Sequence, residues 1–156
     1  ELLAKEQLKI MLLEDLRDPG NLGTIIRTAE GAGMDAVIMS KETVDLFNPK
    51  VVRSTMGSIF RVPFFYVEDM MQTVKELQGK GVSVVATDLQ GKNDYDGERY
   101  PDKTAIVIGN EAKGISAEMR ESADILIKIP MCGQLESLNA PVAAGIMMFE
   151  LFRQKK

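Results

Sequence analysis

The chain has no histidine and only one cysteine among its 156 residues. Without imidazole, a Ser-His-Asp triad, a Cys-His dyad and every metal site that contains histidine are excluded within this chain. Cys132 alone cannot form an internal disulfide or a thiolate metal site, which favours a reducing, cytoplasmic setting. We therefore expect chemistry that uses neither imidazole nor a metal ion.

Long apolar runs are also missing from the sequence. No segment approaches the ~20 apolar residues of a membrane span, and Glu1, Lys5, Glu6 and Lys9 interrupt any signal-peptide core at the N-terminus. Apolar residues make up 45% of the chain and charged residues 27%, which is an ordinary globular composition. We expect one domain over residues 1–156, with no membrane partner.

The net charge argues against a chain that binds nucleic acid through a global positive field. Nineteen basic residues stand against 23 acidic ones, which gives a net charge of −4. Residues 16–61 depart from this balance, because they carry six cations and five carboxylates. A local basic face is therefore expected there if the fold brings these cations together.

Apolar runs and helical patterns alternate along the whole chain. The first strand leads through Arg17-Asp18-Pro19-Gly20 to Asn21, a candidate cap for a helix that reaches Gly31. The predicted strands cover residues 10–13, 36–39, 63–67, 82–87, 104–108 and 125–129. The predicted helices cover residues 22–31, 49–56, 69–78, 116–122 and 142–153, and residues 90–103 read as an exposed loop. This alternation predicts an α/β fold with a parallel sheet, helices on both faces and a ligand site beyond the carboxyl ends of the strands.

Three loops at predicted strand ends carry unusual residue combinations. They cover residues 18–23, which lead into Arg27, residues 108–116 and residues 129–139. Neither common nucleotide fingerprint is present: no G-x-G-x-x-G follows the first strand, and Lys113 precedes rather than follows the second glycine of the Gly109–Gly114 pair. One such loop alone would be interpreted as a glycine turn, but three such loops at strand ends in one small α/β domain predict a functional site.

These loops resemble the motifs of the SPOUT superfamily of S-adenosylmethionine-dependent RNA methyltransferases, in its TrmH-like (SpoU) branch that methylates ribose 2′-hydroxyls. The resemblance covers nearly the whole chain. It is carried by three motifs, which comprise Asn21, Gly23 and Arg27; Gly109, Glu111 and Gly114; and Ile129-Pro130-Met131 followed by Ser137-Leu138-Asn139 and the small-residue run 142–145. Pro141 stands where many relatives carry a small polar residue, and proline suits a first helical turn.

The resemblance implies a Rossmann-like domain with a C-terminal deep trefoil knot, a rare exception to the rule against knotted chains. It also implies a homodimer, an RNA substrate (rRNA or tRNA) and S-adenosylmethionine as cofactor. The residues implied to bind the cofactor are Gly109, Ile129, Leu138, Thr87, Asn110, Met131, Glu111, Gly114 and Pro130. Those implied in catalysis are Arg27, Asn21, Glu111, Asn139 and Ser137, and those implied in RNA binding are Arg27, Arg53 and Arg61. Many relatives carry an N-terminal RNA-binding extension, and the start at Glu1 leads us to expect that this sequence lacks one.

The chemistry that the resemblance implies suits a chain without histidine. A sulfonium methyl donor is already activated, so that transfer needs an aligned nucleophile rather than a metal or a covalent intermediate. A guanidinium is a poor base at neutral pH, and we therefore expect Arg27 to orient the ribose hydroxyl and a phosphate while the proton leaves to phosphate or water. The alternative is that a deprotonated Arg27 is itself the base.

Several structural interpretations stay open beside these functional ones. Asn21 is a candidate helix cap, Glu111 is a candidate acceptor for loop amides, and Ser137 and Asn139 are candidate caps of the last helix. Cys132 is interpreted as a loop filler. Met147 and Met148, with Phe149 and Phe152, are interpreted as core or dimer packing. Arg17 and Lys50 are either phosphate contacts or ordinary surface charges.

Two alternatives to a ribose methyltransferase also remain at this point. One is an enzyme of the same superfamily that methylates a base nitrogen. The other is a non-catalytic RNA-binding or assembly module that retains the fold.

Overall fold

A seven-stranded, entirely parallel sheet forms the centre of the protein in a computed structural model that describes residues 1–55, 57–58, 61–135 and 137–156. The strands are β1 (Leu8–Leu13), β2 (Ala36–Ser40), β3 (Phe64–Val67), β4 (Ser83–Thr87), β5 (Asn93–Asp94), β6 (Lys103–Ile108) and β7 (Ile125–Lys128). The helices are α1 (Pro19–Gly31), α2 (Pro49–Thr55), α3 (Met70–Gly79), α4 (Ala117–Ser122) and α5 (Ala140–Lys155), and a short 3₁₀ helix covers Leu2–Ala4. The strand order is β3-β2-β1-β6-β4-β7-β5.

The two faces of the sheet are covered by different helices, because the side chains of each strand alternate between them. Met11 and Leu13 of β1 join a core that contains residues of α1 and α5, whereas Ile10 and Leu12 join a second core with residues of α3 and α4. Residues 10–13 of β1 are buried on both faces of the sheet, as expected for a strand of a parallel sheet that is covered by helices on both sides. The predicted parallel sheet with helices on both faces is confirmed.

Two predicted helix boundaries change once the caps are located. α1 begins at Pro19, and its cap is Asp18, whose carboxylate accepts a hydrogen bond from the Asn21 N–H at 2.9 Å. The expectation that Asn21 is the cap is therefore wrong, since proline at the first helical position moves the start of the helix towards the N-terminus. Asn139 does cap α5, which begins at Ala140. The predicted end of the second helix, Met56, lies outside the described residues.

Residues 90–103 are not simply an exposed loop, as the sequence suggested. The segment contains β5, which pairs with β7, and Tyr100, which is 3% exposed and donates its N–H to the side chain of Gln154. Its polar composition concealed these contacts, because they are made by backbone groups and one ring. A Cβ at Gly91 would overlap the backbone of Ile127, so that only glycine lets the segment cross the end of β7 so closely.

The pairing of β7 places a late strand inside an earlier connection of the chain. β7 lies between β4 and β5, although the chain runs from β4 through β5 to β6 before it reaches β7. The same connection contacts the last helix, since Gln154 and Lys155 donate to the carbonyl oxygens of Glu98 and Tyr100. This strand order and these contacts are compatible with a threaded chain, and the knot itself stays a prediction.

The last helix divides its apolar residues between the core and the surface. Met147 and Met148 are fully buried, whereas Phe149 and Phe152 are 47% and 37% exposed. Their rings pack edge to face, with centroids 6.0 Å apart. Among the described residues no helix is both long and apolar enough to cross a membrane.

Helix α1 approaches α2 closely because Gly23 has no side chain. A Cβ at this position would overlap Ser54 Oγ and lie 2.7 Å from Ser54 Cβ. We expect Gly23→Ala to lower the free energy of unfolding by about 1–3 kcal/mol, because α2 must move away from α1. Gly79→Ala is the matched control, since no atom lies within 4 Å of the added carbon. Urea denaturation of both variants measures the effect, and equal stabilities would contradict the packing role of Gly23.

Candidate functional site

A pocket of about 310 Å³ opens at the carboxyl ends of β4, β6 and β7. Parallel α/β sheets bind ligands at this edge, and the volume lies at the lower end of small-molecule sites. The residues that line it are Thr87, Asp88, Leu89, Ile108, Gly109, Asn110, Glu111, Ala112, Lys113, Gly114, Ile115, Arg120, Lys128, Ile129, Met131, Ser137, Leu138, Ala140 and Ala143. Two of the three loops singled out in the sequence, 108–116 and 129–139, therefore meet at this pocket.

Most residues predicted to bind the cofactor line this pocket. They are Thr87, Gly109, Asn110, Glu111, Gly114, Ile129, Met131 and Leu138. The exception is Pro130, which is exposed and does not line the pocket. Of the residues predicted to act in catalysis, Glu111 and Ser137 line the pocket, whereas Asn21, Arg27 and Asn139 do not.

The loop that follows β6 is a tight turn that only glycine permits. A Cβ at Gly109 would overlap the carbonyl group of Gly114 and the nitrogen of Ile115, and Gly114 has a φ of +70°. The side chain of Asn110 holds this turn, since its Nδ2 donates to the Asp15 carbonyl at 2.8 Å and its Oδ1 accepts from the N–H groups of Ala112 and Lys113. Asn110 thus stabilises the wall of the pocket.

Glu111 ties the pocket loop to the start of α1. Its carboxylate accepts hydrogen bonds from the N–H groups of Arg17 and Asp18 at 3.0 and 2.7 Å, and from Asn21 Nδ2 at 3.3 Å. Burial tends to raise the pKa of Glu111, but the hydrogen bonds from the N–H groups of Arg17 and Asp18 outweigh it and lower the pKa. The third loop of the sequence, 18–23, is thereby attached to the pocket through Glu111 although it does not line it.

Glu14 is a buried acidic residue that sequence reasoning missed. It is 9% exposed, and its two carboxylate oxygens accept hydrogen bonds from the N–H and the hydroxyl group of Ser116, each at 2.7 Å. Ser116 in turn caps α4 by accepting a hydrogen bond from the Met119 N–H. A carboxylate directly after the apolar run Ile10–Leu13 was the available signal, because such a residue must find a partner inside the fold.

Asp88 and Arg120 form an ion pair at the pocket that the sequence also did not reveal. Burial tends to raise the pKa of Asp88, and the hydrogen bond from Arg120 overrides it and lowers the pKa. The two residues are 32 positions apart, so that only the packing of α4 beside β4 brings them together. Lys113 and Lys128 add two further cations to the pocket lining.

The three arginines predicted to contact RNA have different environments. Arg27 on α1 and Arg53 on α2 are exposed, and neither takes part in an ion pair among the residues that the structure describes. Arg61 pairs with Glu30. The hydrogen bond from Arg61, followed by one from Ser58, lowers the pKa of Glu30 to about 2.

The single cysteine, Cys132, is exposed in the loop after β7. Within the described parts of the chain, no group of three or more cysteine, aspartate or glutamate side chains is arranged to hold a metal ion.

The fold and the pocket define a parallel α/β domain with a small-molecule site built from loops at the carboxyl ends of its strands. Its sequence matches the SpoU rRNA Methylase family over residues 9–149, and the chain belongs to that family. It is 41% identical over 143 residues to the 23S rRNA (guanosine(2553)-2′-O)-methyltransferase RlmP of Bacillus subtilis, covering 92% of this chain and 57% of that protein. A putative TrmH family tRNA/rRNA methyltransferase of Staphylococcus aureus is 39% identical, over 95% of this chain and 60% of that protein.

Solved structures of the same family have the same fold. The SpoU methyltransferase AviRb from Streptomyces viridochromogenes superposes with a TM-score of 0.91 at 32% identity, over 97% of this chain and 61% of that one. The AdoMet-bound rRNA methyltransferase from Sinorhizobium meliloti superposes with a TM-score of 0.89 at 39% identity, over 97% of this chain and 58% of that one. The chain therefore spans about three fifths of the length of these relatives.

The contacts of Glu111 predict a pH-dependent contribution to stability. We expect Glu111→Gln to lower the free energy of unfolding by about 1 kcal/mol at neutral pH, because the two N–H groups lose a charged acceptor. The pKa of Glu111 is lowered in the folded protein, so that this contribution is complete above the ordinary carboxyl range near pH ~4.3 and is lost as the pH falls through the lowered pKa.

Urea unfolding of both proteins between neutral pH and pH ~3 measures this difference, with Glu6→Gln on the exposed N-terminal segment as the matched control. A difference between the wild type and Glu111→Gln that stayed constant or widened towards acid would contradict the assignment.

Proposed function

We propose that this chain is the catalytic domain of an S-adenosylmethionine-dependent methyltransferase that acts on a ribose 2′-hydroxyl of rRNA or tRNA. The observation that carries this proposal is the attachment of the pocket loop to the Arg27-bearing helix through Glu111. One side chain thereby fixes a small-molecule pocket relative to an exposed guanidinium. The identity to RlmP, whose name states a 2′-O-methyltransferase activity on 23S rRNA, supports the same reaction type.

The residues of the pocket fit this cofactor. Ile129, Met131 and Leu138 supply apolar walls for a flat ring, and the tight turns beside them present backbone N–H and carbonyl groups to its polar edge. The Asp88–Arg120 ion pair and the cations Lys113 and Lys128 line the pocket beside these walls, where polar parts of the ligand would lie. When bound, the cofactor supplies an activated methyl group.

The protein must also bind the RNA and allow the ribose hydroxyl to lose its proton. We assign to Arg27 the orientation of the ribose hydroxyl and of a neighbouring phosphate, since a guanidinium donates several hydrogen bonds in a fixed plane. The same charge stabilises the alkoxide that develops on the ribose oxygen, and the proton leaves to phosphate or to water.

We further propose that a second copy of the chain completes the site. Arg27 does not line the pocket of its own chain, and α1 lies beside α5, where Gly145 approaches Thr28 and Gly31 approaches Phe149. Val142 and Phe149 leave about half of their surface exposed on α5. A two-fold dimer that buries these side chains would place Arg27 of one copy near the pocket of the other.

A cytoplasmic setting stays a prediction.

Replacement of Arg27 tests the catalytic assignment. We expect Arg27→Ala to abolish methyl transfer while the affinity for S-adenosylmethionine stays within about twofold of wild type, because Arg27 lies outside the pocket. Transfer of a tritiated methyl group into tRNA and rRNA measures the first quantity, and calorimetric titration measures the second. Retained turnover in Arg27→Ala would refute the role of Arg27, and a wild-type chain that does not bind the cofactor would indicate a non-catalytic module.

The modified nucleoside distinguishes ribose from base methylation. Mass spectrometry of the digested RNA is expected to find the methyl group on the sugar, and a methylated base would overturn the proposed reaction.

Mixing two inactive variants tests the dimeric site. Arg27→Ala retains a pocket, and Leu138→Arg retains Arg27 but places a cation in an apolar pocket wall. If Arg27 acts across the interface, random exchange of subunits restores up to about a quarter of wild-type activity, since half of the dimers are mixed and each has one complete site. If Arg27 acts within its own chain, the mixture stays inactive. Sedimentation of each variant controls for loss of the dimer.

A further inference from the structure

Phe47 presents an aromatic ring to solvent at a place where folding does not require one. Its side chain is 60% exposed, whereas the preceding Leu46 is fully buried. Phe47 packs edge to face on Phe64, with ring centroids 6.0 Å apart and an interplanar angle of 72°. One side of the molecule thus carries a supported ring with a large part of its surface free.

The turn that carries Phe47 is held by hydrogen bonds. The carboxylate of Asp45 accepts from the Phe47 N–H at 2.9 Å, and the Asp45 carbonyl accepts from the Asn48 N–H at 3.0 Å. The Tyr66 hydroxyl accepts from the Leu46 N–H at 2.8 Å and donates to the Val44 carbonyl. The backbone at Phe47 is therefore ordered before any ligand binds, which reduces the entropic cost of binding.

Two exposed cations follow this ring along α2, although the chain as a whole is acidic. Lys50 and Arg53 are exposed on α2, which begins two residues after Phe47. α2 packs on α1 through Gly23 and Ser54, one turn before the exposed Arg27. Glu30, the carboxylate at the far end of α1, is already neutralised by Arg61. The surface formed by Phe47, Lys50, Arg53 and Arg27 therefore combines one ring with three cations that have no ion-pair partner among the described residues.

We propose that Phe47 is a stacking platform for an unpaired base of the RNA, with Lys50 and Arg53 contacting the phosphates on either side. This inference rests on the proposed function, since it extends the same substrate from Arg27 along α2. Single-stranded RNA is bound by this combination of exposed aromatic rings and basic side chains. Three cations without an ion-pair partner among the described residues match the charge of a phosphate backbone, so that charge complementarity favours RNA over a protein partner.

A hexameric RNA with 2-aminopurine at one position tests the platform without any methyl transfer. Loss of one stacked base weakens single-strand binding by about 5- to 150-fold, and we expect this loss in Phe47→Ala, with loss of the 2-aminopurine quenching that stacking causes. Phe47→Trp is expected to bind as well as wild type, whereas Phe47→Leu, which keeps an apolar surface without a ring, is expected to resemble Phe47→Ala. A duplex of the same sequence should bind all variants alike.

The matched control is Phe65→Ala, because Phe65 is 48% exposed and points to the opposite face of the sheet from Phe64. The slope of log affinity against log salt concentration should decrease in magnitude by nearly one in Arg53→Ala, because one phosphate contact is lost. Phe47→Ala should leave that slope unchanged. Circular dichroism and affinity for S-adenosylmethionine check that each variant is folded.

Four results would overturn the platform: unchanged binding in Phe47→Ala, wild-type binding in Phe47→Leu, dissociation of a dimer by Phe47→Ala, or no binding of the hexamer to the wild-type protein at low salt. These outcomes are distinguishable from failure of the proposed function. If the wild type transfers methyl groups but hexamer binding ignores Phe47, only the platform is lost; if no methyl transfer occurs, the proposed reaction is lost whatever Phe47 does.

Discussion

The carboxylate of Glu111 holds together the parts of this molecule on which its function depends. It accepts hydrogen bonds from the N–H groups of Arg17 and Asp18 and from the side chain of Asn21. These groups belong to the entry of α1, whereas Glu111 belongs to the loop that walls the pocket. A carboxylate is suited to this connection, because charged acceptors form stronger hydrogen bonds than neutral ones and two oxygens can serve several donors. This one side chain therefore connects the pocket wall directly to the start of α1.

The second constraint is the absence of side chains at three close approaches. Gly109 lets the pocket turn close on Gly114, Gly91 lets the β4–β6 connection cross the end of β7, and Gly23 lets α2 settle on α1. Each glycine occupies a place where a Cβ would overlap another part of the chain, so that its role lies in space rather than in chemistry. Of the three, Gly109 lies in the pocket lining, whereas Gly91 and Gly23 let other parts of the chain pack closely.

The charged residues of this protein form local contacts and do not give the whole surface a positive potential that would attract RNA. Two carboxylates are paired with arginines, Asp88 with Arg120 and Glu30 with Arg61, and a third, Glu14, is hydrogen-bonded to Ser116. The negative charge of Asp88 and Glu30 is thus balanced locally, whereas the exposed cations Arg27 of α1 and Arg53 of α2 have no ion-pair partner among the described residues. An overall charge of −4 is compatible with a local basic surface for this reason.

The sequence by itself determined the architecture and two of the loops that line the pocket. Alternating apolar runs and helical patterns predicted the parallel sheet, because the two periodicities follow from local backbone geometry. The residues of loops 108–116 and 129–139 were found from their glycine, proline and polar spacing, which also is a local signal. Pro130 does not line the pocket, since adjacency in a motif does not decide which side chain faces it, and its contact with the cofactor stays a prediction.

Only the tertiary structure decided which residues meet across the chain. The cap of α1 is Asp18 rather than the predicted Asn21, and the side chain of Asn21 donates a hydrogen bond to Glu111, 90 positions away. Glu14 and Ser116, and Asp88 and Arg120, are likewise pairs that no local pattern connects. The polar segment 90–103 contains a strand and a buried tyrosine that were not predicted, because both depend on contacts with distant parts of the chain. Hydrogen bonds and ion pairs depend on distance in space, which the order of residues along the chain does not specify until the sheet has placed its strands side by side.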